Sequence, residues 1–213
     1  MSRKTVQLYQ QGKIQTAIQE LIKDIDSDPK NANNYLELST YLLEQGAIDQ
    51  AKKLLVQAKG LVAEPQTMDY NLAICYYMEG DFDRALALLD TIPNNDETYY
   101  QKALVFHKLG NPQKALAFAM SVSKTDNDLF ELLGDIWLSL GDFHKARENY
   151  MKISKDARSG KLNFLIGVTL FGSSRQEAEQ YFNLAKQLDP DYYQNAKKQY
   201  DSLLKVIKQG KEK

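Results

Sequence analysis

From Asp69 to Leu89 the chain reads DYNLAICYYMEGDFDRALALL, and its apolar residues fall into two stripes of helical period separated by one turn. Leu72, Ala73, Tyr76 and Tyr77 recur at spacings of three to four, the one-sided pattern of an amphipathic helix. Gly80 ends that helix, Asp81 is placed to cap the next, and Ala85, Leu86, Leu88 and Leu89 give the second helix its apolar face. A pair of helices this short cannot bury both stripes against each other, so the pattern requires further pairs alongside.

The rest of the chain supplies them. Gly12, Gly46, Gly80, Gly110 and Gly141 stand at the turns, and Ala17, Ala51, Ala85, Ala115, Ala146 and Ala178 follow at intervals of 34, 34, 30, 31 and 32 residues. A sixth turn has Ser173 in the glycine place, with Gly172 just before it. The first helix of each unit carries a bulky, a small and a bulky residue: Leu38, Ser39 and Leu42; Leu72, Ala73 and Tyr76; Leu133, Gly134 and Trp137. The second carries its alanine and then, four residues on, Leu55, Leu89, Tyr150 or Phe182. Small residues let two helix backbones approach, and bulky ones fill the grooves beside the crossing.

On these residues, over roughly positions 1 to 191, the chain resembles the tetratricopeptide repeat family. The resemblance implies an all-α, right-handed α-solenoid of about six helix-turn-helix repeats. After the break at Asp189, Pro190 and Asp191, residues 192 to 209 read as a further amphipathic helix that caps the array, with a tail at 210–213. Its apolar face holds Tyr193, Ala196, Tyr200, Leu203, Leu204 and Ile207. Thirteen helices and no strand are therefore expected.

Local signals refine this picture. The first helix has at most eleven residues, Met1 to Gln11, and is the end expected to fray. Pro93 marks the point where the repeats shorten. Asn111 and Pro112 read as an N-cap and first helical position, and Thr125 to Asp128 and Ser174 to Glu177 as capping boxes. The segment from Leu162 to Phe171 has no polar face and must be covered on nearly every side, with Gly167 and Phe171 toward the groove. Trp137 occupies a core place and is expected to be largely buried.

Composition adds mainly exclusions. A formal charge of −1 gives no global attraction to nucleic acid or to an anionic membrane, and no apolar run approaches the ~20 residues needed to span a bilayer. Without an apolar N-terminal leader, a cytoplasmic setting is expected. The single cysteine, Cys75, sits mid-helix and reads as a buried, inert thiol. His107 and His144 lack the spacing of a metal pair, and the glycines fall singly at turns, so no phosphate-cradling loop is formed. No catalytic residues, metal or cofactor are expected.

Recognition by surface remains. In the family this chain resembles, first helices line a concave groove that takes extended or helical peptides. Carried over, that groove would show Leu36, Thr40 and Leu43, then Tyr70, Asn71, Ile74 and Tyr77, then Tyr100, Leu104, His107 and Lys108, and finally Glu131 and Asp135. This is an aromatic centre with an acidic wall, suited to an apolar or basic-aromatic peptide. Family members that grip a C-terminal carboxylate use lysine, arginine and asparagine there; only Asn71 matches, so that specificity is not expected. The resemblance implies a non-enzymatic peptide- or protein-binding adaptor. The alternative is a scaffold that self-associates through a terminal repeat; a peptide-sensing regulator or an enzyme with an unrecognised site are remote ones.

Overall fold

The computed structural model describes the backbone of residues 3–211 and the side chains of residues 4–202. Thirteen α-helices and two short 3₁₀ turns, with no strand, make up the secondary structure of the described residues. They form two compact units, Met1–Gly110 and Asn111–Lys213.

The first unit contains α1 (Arg3–Gln10), α2 (Ile14–Ser27), α3 (Ala32–Glu44), α4 (Ile48–Lys59), a 3₁₀ turn (Pro65–Met68), α5 (Asp69–Glu79), α6 (Phe82–Leu89) and α7 (Asp96–Lys108). α1 with α2, α3 with α4 and α5 with α6 pack as hairpins, each against the next. The turns share one chemistry. Gly80 has φ +80°, a left-handed conformation that costs an L side chain but not glycine, and the Asp81 N–H then reaches back to the Tyr76 carbonyl at 2.8 Å. The same five-residue bond closes the turns at Gly12 and Gly46, and that at Gly141 in the second unit. Asp81 Oδ1 accepts the Arg84 N–H and so caps α6, as the sequence predicts.

The N-terminal helix is pinned by polar contacts. Lys4 pairs with Glu20, the Thr5 and Tyr41 hydroxyls both donate to the buried Glu37, Tyr9 donates to Glu44, and the Tyr9 ring stacks on Tyr41 at 3.9 Å. The Oε2 atom of Glu37 is buried with no partner.

The second unit contains α8 (Pro112–Ala119), α9 (Asn127–Ser139), α10 (Phe143–Lys152), a 3₁₀ turn (Lys155–Ala157), α11 (Gly160–Leu170), α12 (Arg175–Leu188) and α13 (Pro190–Lys211). Asn111 caps α8 through the Lys114 N–H at 3.1 Å, with Pro112 in the first position. α6 and α8 have 8 residues each and α10 has 10, against 14 in α2 and α12, which is the expected shortening.

All six periodic alanines are fully buried, as are Leu55, Leu89 and Tyr150, and Phe182 is nearly so. At Gly134 a Cβ atom would lie 2.1 Å from the Tyr150 ring, so the glycine is what lets that ring enter the α9/α10 crossing. Tyr150 is held in place at its far end, where its hydroxyl donates to Asp135 at 2.6 Å.

No residue from Gly160 to Phe171 is exposed. Phe164 meets Phe182 of α12 and Tyr192, Tyr193 and Tyr200 of α13, with ring centroids 5.2 to 6.3 Å apart. Gly167 and Phe171 do not face a groove. Gly167 lies against the Phe182 ring and Phe171 against Tyr200, because α12 and α13 close over that side. The cover expected from Leu203, Leu204 and Ile207 lies outside the described side chains.

Other local expectations are corrected. Trp137 is half-buried, with the Lys145 ammonium over its ring at 4.1 Å, because the narrow space opposite Gly134 is filled by Tyr150 instead. The cap of α9 is Asp126, accepting the Leu129 N–H, one residue later than the expected box at Thr125. Ser174 stands at the N-cap of α12 but makes no side-chain cap bond. The sixth turn needs no left-handed residue, since the Ser173 and Ser174 N–H groups both bond the Leu170 carbonyl. α13 starts at Pro190 rather than Tyr192, because Asp189 Oδ1 caps it through the Tyr192 N–H and proline suits a first helical position.

Two outcomes test this packing. Gly134→Ala should destabilise the protein by ~1–3 kcal/mol through displacement of Tyr150, whereas Gly60→Ala, where the added atom meets only ordinary contact, should leave the melting temperature unchanged or raise it. Equal melts for both would refute the tight crossing. A chain truncated after Asp191 should bare Phe164 and Phe171 and bind a hydrophobic dye that the full chain ignores; an equally stable, dye-silent truncation would count against α13 as their cover.

Candidate functional site

The first helices α3, α5 and α7 border a groove of about 510 Å³ in the first unit. Its wall includes four residues expected from the sequence, Leu36 and Thr40 of α3 and Tyr70 and Asn71 of α5. It also includes residues the sequence reading missed: Gln66 and Thr67 from the 3₁₀ turn, Ile92, Pro93 and Asn95 from the loop before α7, and Glu97 and Thr98 from its first turn. Pro93 is legible in sequence only as the sign of a shortened repeat. That shortening is what sends the loop past the groove edge, where the Thr98 hydroxyl fixes it by donating to the Pro93 carbonyl at 3.0 Å.

The Asn71 side chain is engaged within the protein. Its Nδ2 donates to Ser39 Oγ at 2.8 Å, with longer contacts to the Leu36 carbonyl at 3.3 Å and Thr40 Oγ1 at 3.4 Å, so those donors tie α5 to α3. The small Ser39, fully buried, makes this approach possible. Asn71 positions the groove floor.

Tyr70 is half-buried beside it. Burial pushes its phenol up to about 12, and the Glu97 carboxylate adds to the shift. Glu97 is exposed. The groove therefore sets an apolar surface of Leu36, Ile92, Pro93 and the Tyr70 ring against one solvent-facing carboxylate.

The remaining expected residues are distributed elsewhere. Ile74 packs on the core between α3, α4 and α5, Tyr77 lies 6.0 Å from the Phe82 ring, and Leu43 is buried in the core. Tyr100, Leu104 and His107 are half-buried farther along α7, and Lys108 is exposed. Glu131 and Asp135, in the second unit, do not form a free acidic wall. Lys161 lies 2.7 Å from Glu131 and 3.5 Å from Asp135, and Asp135 also accepts the Tyr150 hydroxyl. These carboxylates join α9 to α10 and α11.

Cys75 is buried, and burial first, then the Glu79 charge, pushes its thiol up to about 11, so it is held as the unreactive thiol. No group of three or more histidine, cysteine or acidic side chains among the described residues is arranged to hold a metal ion. No helix among them is long and apolar enough to cross a membrane.

Tetratricopeptide repeat family models match residues 36–99 and 96–129. Tetratricopeptide repeats are thus present over residues 36–129. A TPR repeat-containing protein of Methanocaldococcus jannaschii is 28% identical over 182 residues, covering 81% of this chain and 32% of the archaeal protein, so the chain spans about a third of that relative. Among solved structures, a chain of the Cut9–Hcn1 hetero-tetramer of APC/C superposes with a TM-score of 0.73 at 17% identity, over 87% of this chain and 39% of its own. Pseudomonas aeruginosa pilF does so with a TM-score of 0.72 at 16% identity, over 92% and 95%. At these identities the likeness is one of fold, an all-α solenoid of tetratricopeptide repeats. Proteins of this family bind other proteins or peptides, and generally act as non-enzymatic scaffolds.

The Tyr70 environment gives a pH test of the groove. Its phenol loses a proton less readily in the folded chain than when unfolded, so this group's contribution to stability is complete below pH 10 and is lost as pH rises toward about 12. In a tyrosine titration followed by NMR, Glu97→Gln should move the Tyr70 transition to lower pH. An unmoved transition would mean that the carboxylate is not beside the ring.

Proposed function

We propose that this protein is a non-enzymatic adaptor that holds a peptide segment in the groove bordered by α3, α5 and α7. The observation that carries the reading is the joint presence of the apolar Leu36, Ile92 and Tyr70 surface and the exposed Glu97 carboxylate in one cleft of ligand size. Apolar and aromatic contact area supplies most of such affinity, while a rim carboxylate selects partners of opposite charge. The segment recognised is therefore an apolar or aromatic residue with lysine or arginine next to it. The acidic component is Glu97 rather than Glu131 and Asp135, whose charges Lys161 offsets.

Peptides selected by phage display on the full chain test this. They should be enriched in lysine or arginine beside an apolar or aromatic residue, and should bind Glu97→Lys at least about tenfold more weakly, since one charge-assisted contact is worth roughly that factor. Glu97 is exposed, so the substitution leaves packing intact. Selected peptides that bind both proteins equally would refute the assignment.

A further inference from the structure

The second unit holds a cleft of about 590 Å³ that the groove reading does not use, between the Lys155–Ala157 turn, α11 and α12. The chain from Lys155 to Asn163 lines it with Lys155, Arg158 and Asn163, and α12 with Tyr181, Leu184 and Leu188. Arg158 is only 7% exposed. Its Nε donates to the Ile153 carbonyl at 2.9 Å and its Nη2 to that of Met151 at 3.2 Å. No ion pair joins it to a carboxylate among the described residues, although it lines the cleft. A buried guanidinium without a counter-charge is costly, and its planar fork matches a carboxylate better than a carbonyl. Asp156 also lines the cleft, so two cations stand against one anion there.

The α12 side is unusual in the other sense. Leu184 is 44% and Leu188 59% exposed, on a helix whose buried face is already supplied by Ala178, Phe182 and Ala185. Apolar side chains that are not needed for packing sit beside a desolvated cation. Nucleic acid is a poor match, because two cations beside a carboxylate and an apolar wall do not track a phosphate backbone.

The geometry points to a second peptide site, in which Arg158 and Lys155 hold a peptide carboxylate and Leu184 and Leu188 receive the apolar side chain next to it. The guanidinium keeps its two backbone acceptors and offers its remaining N–H groups to the ligand. The charge preference is opposite to that of the α3/α5/α7 groove, so the two sites select different segments.

Acetyl-Leu-Leu with a free C-terminal carboxylate, titrated into the full chain and followed by NMR, is the probe. Saturable shifts are expected at the Arg158 Nε–H and at the Leu184 and Leu188 methyls, with at least about tenfold weaker binding of the corresponding amide. Arg158 also fastens the backbone at Met151 and Ile153, so the variants are Lys155→Glu and Leu188→Ser, both at exposed positions, and each should weaken binding severalfold. Equal binding of acid and amide, shifts confined to the first unit, or an unaffected affinity in both variants would overturn the site. Acetyl-Leu-Leu-Asp amide separates the two carboxylate sources: binding equal to that of the free acid assigns a side-chain carboxylate, and weaker binding a chain terminus. Peptides bound in the α3/α5/α7 groove respond to Glu97→Lys and not to Leu188→Ser, so failure of one site leaves the other testable.

Discussion

Everything in this chain depends on how closely two helix backbones can approach within a hairpin. The second helices present an alanine with no exposed surface, and facing first helices present a small residue near the crossing, such as Ser39, Ala73, Gly134 or Gly167, with Thr5 in that place on α1. Side chains of this size place the helices in contact over most of their length, and the large residues are then displaced to either side of the crossing, where Leu55, Leu89, Tyr150 and Phe182 are buried. At Gly134 and Gly167 an aromatic ring occupies the volume that a Cβ would take. The hairpins cannot loosen without opening cavities, so differences between repeats are confined to helix ends, turns and the outward sides of helices.

Those are the places where recognition surfaces arise. The first-unit groove exists because α6 is short and the loop carrying Pro93 returns early to α7, bringing Glu97 to Tyr70. The second-unit cleft exists because the turn after α10 buries Arg158 against backbone carbonyls while α12 runs on past it. In both, a departure from the regular repeat supplies the polar group, and the regular repeat supplies the rigid floor. Asn71 illustrates the division, since it belongs to the floor.

Features set by neighbours in sequence were readable in advance. Gly80, Asp81 and Ala85 act within one turn of one another, and Asn111 with Pro112 fixes its helix start locally. Features set by partners far along the chain were not. The charge of Glu131 is plain in the sequence, but its neutralisation by Lys161, 30 residues on, is a property of the packing. Trp137 has a core position by period, yet Tyr150 enters the space first because Gly134 is opposite it. Glu97 carried no motif at all; only the geometry of the loop makes it part of a cleft.

The largely apolar α11 imposes an order of events. Two of the rings that cover it, Tyr193 and Tyr200, lie about thirty residues later in the chain. At a synthesis rate of ~5–20 residues per second, the nascent protein carries an uncovered greasy helix for a time on the order of seconds before its lid is made. Hydrophobic collapse is faster than that by several powers of ten. Phe164 therefore gains its full cover of rings only once α13 has been made.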